Sequence, residues 1–113
     1  MEKGLLRALS QSTGTAGEEV VANLLRRDGW INVQVDTRGP GSTDVLAQRP
    51  NGGGILVQVK SAISPNEPSA LGALEQHEIA VRANRLGYDA YAAAVTFSPL
   101  GLAAPTVQWQ RLN

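Results

Sequence analysis

Three residues suited to phosphate chemistry fall within one short stretch, GSTDVLAQRPNGGGILVQVKS at 41–61: Asp44, Gln58 and Lys60. The aspartate heads one apolar run, and the glutamine and lysine take alternate places at the tail of the next. Successive side chains of a strand point to opposite faces, so Gln58 and Lys60 share a face about 7 Å apart. Oxygen donors beside an ammonium suit phosphodiester hydrolysis. Hard oxygen ligands hold Mg²⁺, with Mn²⁺ able to substitute; the ion polarises a phosphate and acidifies a bound water, and the lysine orients that water or offsets developing charge. Glu18, from an earlier segment, is the fourth candidate.

These residues need elements to hold them. TAGEEVVANLLRRD, from Thr15 to Asp28, has the spacing of a helix, with Thr15 as N-cap and Gly29 as C-cap. Val20, Val21, Leu24 and Leu25 fill one arc of its wheel; Glu18 leans toward that core side, and Glu19 falls on the solvated side with Asn23 and Arg26. Three short β-branched runs follow, at Trp30–Asp36, Thr43–Gln48 and Ile55–Lys60. RPNGGG joins the last two as a hairpin. If Arg49 faces Ile55, then Asp44 lies opposite Lys60 and Leu46 opposite Gln58, and the triple glycine leaves a slip of one or two residues open. Parity then puts Val45, Ala47, Ile55, Val57 and Val59 on a core face and Asp44, Gln58 and Lys60 on a polar one. A second helix from about Ser69 to Leu86, the strand DAYAAAVTF and a last strand near PTVQWQRL complete the chain. The order is αβββαβ with a final β, an α/β class with a central mixed sheet flanked by helices.

On these residues the chain resembles the PD-(D/E)XK nuclease superfamily, whose members share the restriction-endonuclease-like fold. TDV…LVQVK matches the split Asp…(Glu/Gln)-x-Lys motif, and GTAGEE ahead of VVANLLRRDGW resembles the family's first-helix glutamate. The resemblance runs from Gly14 to about Phe97. It implies a Mg²⁺-dependent DNA endonuclease in which Asp44, Gln58 and the Val59 carbonyl hold the metal. Lys60 would be the catalytic lysine and Glu18 an additional acidic group. Within the superfamily the pattern is similar to archaeal-type Holliday-junction resolvases through RGPGSTD and LEQHEIAVRANRLGYDAYAAAV. It departs from them at Gln58, where such resolvases usually carry glutamate and methyl-directed restriction enzymes often carry Gln-x-Lys. DNA, branched in the resolvase case, is the implied partner, with Arg38, Ser42, Thr43 and Ser61 as contacts; a homodimer would supply two sites.

Each residue also has a plainer reading. Thr15-x-x-Glu18 is a capping box. Asp44 suits a strand edge, Lys60 an edge-strand solubility device and Gln58 a cross-strand pair. A non-catalytic nucleic-acid-binding or assembly module that keeps the fold is therefore the alternative. His77, with Leu74 and Val81, reads as a packed core histidine. Trp109 alternates with Val107, as packing or a dimer surface would require. Arg38, Arg49, Lys3 and Arg7 are either a phosphate patch or solvated charges, and Gly39 and Gly41 either admit a phosphate or serve a turn.

At 113 residues, 42% hydrophobic and 18% charged, the chain has the size and composition of one globular domain over 1–113. The absence of cysteine excludes disulfides, thiolate metal sites and a cysteine nucleophile. Zero formal net charge excludes a general basic coat, so DNA contact needs a local patch. Neither a signal peptide nor a membrane-length apolar run is legible, and a cytoplasmic location is expected.

Overall fold

The computed structural model describes residues 16–36 and 44–113. Helix α1 (16–27) turns into the sheet through Gly29, whose positive φ lets the Trp30 N–H reach back to the Leu25 carbonyl at 3.0 Å. Strands β1 (Ile31–Asp36), β2 (Asp44–Gln48) and β3 (Gly54–Ile63) then form an antiparallel meander. Helix α2 (Ala73–Leu86) carries the chain back so that β4 (Asp89–Phe97) pairs parallel to β3, and β5 (Thr106–Arg111) returns antiparallel along β4. The result is a mixed five-stranded sheet in the order β1-β2-β3-β4-β5, an α/β arrangement with two helices among the described residues.

Alternation along β3 assigns the faces. Val57 and Val59 pack with Val45, Ala47, Ala93 and Val95 beneath Val21, Ala22 and Leu25 of α1. Leu56 and Ala90 face the other way, against Ile79 and Ala83 of α2. Glu18 is buried and Glu19 exposed, as the helical wheel requires.

Three details depart from the sequence reading. The β2–β3 register pairs Asp44 with Gln58, Leu46 with Leu56 and Gln48 with Gly54, two residues from the expected pairing. The Arg49 N–H donates to the Gly53 carbonyl at 3.0 Å, which closes the turn early and draws Gly54 into the strand. A two-residue slip preserves side-chain parity, so the division into core and polar faces survives it. Second, α2 begins at Ala73 rather than near Ser69, because Gly72 is extended and acts as its N-cap. Third, His77 is exposed rather than packed. The buried seam is Ile79 and Ala83, and at about 100° per residue Leu74 and His77 lie on the opposite side of the helix.

Gly54 is where β2, β3 and the start of β4 crowd together. A Cβ there would stand 2.6 Å from both the Ala47 carbonyl oxygen and the Tyr88 ring. The ring is fixed in turn, since Gln48 donates to the Tyr88 hydroxyl at 2.9 Å and accepts from Asn32 at 2.7 Å. Gly54→Ala should therefore cost about 1–3 kcal/mol through overpacking against immovable backbone, measured as a lower urea midpoint at unchanged m-value.

Candidate functional site

Asp44 and Gln58 are direct partners across β2 and β3, and Lys60 follows two residues on. In the described residues β2 starts at Asp44, while β3 continues to Ile63 with β4 beside it. Lys60 thus stands just beyond the last β2–β3 pair, where the sheet narrows from two neighbours of β3 to one. Gln58 is 6% exposed and Glu18 8%, and each makes a polar interaction. Such groups are buried only when satisfied.

Glu18 approaches from the other side. Its neighbour Gly17 packs so closely that an added Cβ would collide with the Ser61 hydroxyl and lie 3.6 Å from Val59 Cγ1. The first described turn of α1 therefore covers β3 at the level of Val59 and Ser61, on the face away from Lys60. The structure brings Asp44, Gln58 and Lys60 into one register group and sets Glu18 level with them across the sheet.

One residue of this region was not legible in the sequence. Lys60 Nζ lies 3.0 Å from Glu75 Oε2, in the first turn of α2. The other carboxylate oxygen, Oε1, accepts the Gly72 N–H at 3.2 Å, closing one half of a capping box. These contacts hold the Glu75 carboxyl below the ordinary glutamate range, the Gly72 N–H first and the Lys60 hydrogen bond second. The spacing Gly72-x-x-Glu75 signals such a cap, but only to a reader who starts the helix at Ala73. Lys60 also borders a groove of about 200 Å³ on the α2 side, shared with Gln76, Ala92, Ala94, Gln108 and Gln110.

Family models, curated proteins and solved structures give no match to the chain. Function must be read from geometry.

Among the described residues no group of three or more His, Cys, Asp or Glu side chains could hold a metal ion. The expected donor set is smaller: a carboxylate and an amide on paired residues, followed by a backbone carbonyl at Val59. All three are hard oxygen donors, and Mg²⁺ commonly keeps several waters on one or two carboxylates, so the chemistry of the set fits it.

Of the expected DNA contacts, Arg38, Ser42 and Thr43 lie outside the described residues, as do Lys3, Arg7, Thr15, Gly39 and Gly41. The Ser61 hydroxyl is buried under Gly17 without a hydrogen-bond partner among the described residues, an unfavourable place from which to meet a backbone phosphate. Arg49 is engaged: it bridges Asp89 at 3.2 Å and lies 5.0 Å over the Trp30 ring. Trp109 packs edge-to-face on Tyr91 at 6.3 Å yet stays 42% exposed.

The lowered Glu75 carboxyl fixes a pH dependence. A depressed folded-state value stabilises the protein above the unfolded glutamate range, and that contribution disappears as pH falls through the folded value. Wild type should thus exceed Glu75→Gln in thermal midpoint at neutral pH, with the gap closing below the ordinary glutamate range. A gap that is independent of pH between 7 and about 3, spanning the ordinary glutamate value, would show that the ion pair contributes nothing.

Proposed function

We propose that the chain is a Mg²⁺-dependent endodeoxyribonuclease of restriction-endonuclease-like fold, acting in the cytoplasm. The observation that carries this reading is the pairing of Asp44 with Gln58 and the placement of Lys60 two residues further along the same strand face. The element order supports it: an antiparallel meander, a helical crossover and a fourth strand parallel to the third form the αβββαβ core that the motif resemblance implies.

Asp44, Gln58 and the Val59 carbonyl would hold the ion. When bound, it would polarise the scissile phosphate and lower the pKa of an attacking water. Lys60 supplies a fixed positive charge beside the phosphate, stabilising charge that develops as the bond to the leaving oxygen breaks. Its place beyond the last β2–β3 pair of the described residues, partly exposed, suits contact with a backbone phosphate. Gln58 offsets less of the metal's charge than glutamate would, so high Mg²⁺ should be needed.

The neutral amide also favours a second reading, a DNA-binding module that keeps the fold without turnover. Supercoiled plasmid in Mg²⁺ and in EDTA separates the two. The nuclease reading expects metal-dependent nicking that Lys60→Ala lowers at least about 100-fold, with a thermal midpoint no lower than that of Glu75→Gln, because beyond the ion pair only transition-state stabilisation is lost. It further expects Gln58→Glu to keep or raise activity. DNA retention without nicking would favour the binding module, and nicking by Lys60→Ala at the wild-type rate would remove Lys60 from the chemistry.

The proposed working unit is a symmetric homodimer acting on branched DNA. Among the described residues β5 is an edge strand, and the exposed Trp109 gives it an apolar surface for pairing across a two-fold axis. Light scattering should report a dimer that Trp109→Asp dissociates, and a labelled four-way junction should outcompete a linear duplex. A monomer at every concentration, or equal cleavage of both DNAs, would remove the corresponding part.

A further inference from the structure

We propose that Glu75 is the positioning residue for Lys60, fixing the ammonium where the reaction needs it without itself touching DNA or metal. This role rests on the nuclease reading. A lysine is a poor fixed charge, since its four-carbon stem has many rotamers and its ammonium attracts water strongly. Among the described residues, Lys60 pairs along β4 only, since the last β2–β3 pair is Asp44 with Gln58.

Glu75 supplies the missing restraint. Its carboxylate is pinned by Gly72 through one oxygen and presents the other to Lys60 at 3.0 Å. The pin matters because an exposed ion pair between two flexible side chains is worth little. Here one partner is anchored to the backbone of a helix start, in a turn fastened again by Gln76 donating to the Leu71 carbonyl at 3.0 Å. The first turn of α2 is therefore a rigid bracket.

The stoichiometry of the contact also suits positioning rather than blockade. An ammonium has three N–H donors. The Glu75 contact takes one, and the others remain for a phosphate oxygen and a water. A small misplacement of a catalytic group can lower a rate about 100-fold even when its chemistry is unaltered. The carboxylate is thus expected to act on the rate of the bound complex and not on its formation.

Glu75→Gln is the discriminating variant. Its amide oxygen can still accept the Gly72 N–H, preserving the helix start, while the charge that holds Lys60 is gone. Single-turnover cleavage over a range of DNA concentrations separates the rate at saturation from the apparent Kd. We expect the saturating rate to fall about 10- to 100-fold with apparent Kd unchanged, and Glu75→Asp, one methylene short, to recover only part of the loss.

A second measurement needs no cleavage. The chain has only two lysines, Lys3 and Lys60, so reductive ¹³C-methylation, which keeps the charge, gives two side-chain NMR signals assignable by Lys60→Arg. The Lys60 signal should be displaced from that of an unrestrained lysine in wild type and move toward it in Glu75→Gln. An unchanged Lys60 signal, a saturating rate equal to wild type, or a faster rate that would make Glu75 a block would each overturn the positioning role alone. Failure of wild type to cleave any DNA in Mg²⁺ or Mn²⁺ would overturn the nuclease reading and this role together.

Discussion

The fold depends on the strict alternation of one strand. β3 must hide Val57 and Val59 beneath α1 and Leu56 beneath α2, so residues between them have no choice of face. Gln58 and Lys60 therefore face the α2 side by the same constraint that buries the core. A polar residue on such a strand is tolerable in two situations: with a partner, or beyond the point where the sheet is fully paired. Gln58 meets the first condition and, among the described residues, Lys60 both.

That constraint explains what was legible in the sequence. Parity is a local property, so the faces of β2 and β3, the hairpin between them and the alanine-rich β4 could all be read from residue types. Register was not legible to better than two residues, because a loop with three glycines does not state where its strand begins. The Arg49–Gly53 hydrogen bond sets it, and the Ala47 carbonyl and the Tyr88 ring, the latter more than thirty residues away, leave room at position 54 only for glycine. The first turn of α2 was obscured for a similar reason. Ser69 to Leu71 have ordinary helical polarity, and it is the extended backbone at Gly72 that moves the start to Ala73. With the start taken near Ser69, position 75 is not the third residue after an N-cap, and nothing in the spacing marks Glu75. His77 was misjudged because Leu74 and Val81 suggested an apolar seam, whereas the sheet takes Ile79 and Ala83.

The candidate site was thus half visible. Its members on adjacent strands followed from sequence spacing, and the motif resemblance gave them roles. The partner of Lys60 did not, since it comes from the crossover that parallel pairing of β3 and β4 demands. A crossover returns a helix across the sheet, and its first turn lands near the end of the strand it leaves. Polar residues at strand ends and acidic residues at the following helix start are then neighbours by topology, even fifteen positions apart.

The carboxylate of Asp89 has a consequence for how the molecule comes apart. It holds Arg49 of the β2–β3 turn and Arg111 at the end of β5, while Asn113 accepts the Ala90 N–H and donates to the Tyr88 carbonyl. One end of the edge strand β5 is fastened to two other parts of the sheet, and the Thr106 end lacks comparable side-chain ties among the described residues. Peeling of β5 should start at Thr106 and stall at Arg111. Both arginines are more than half exposed, so added salt screens the fastening and should make the whole strand fray more evenly.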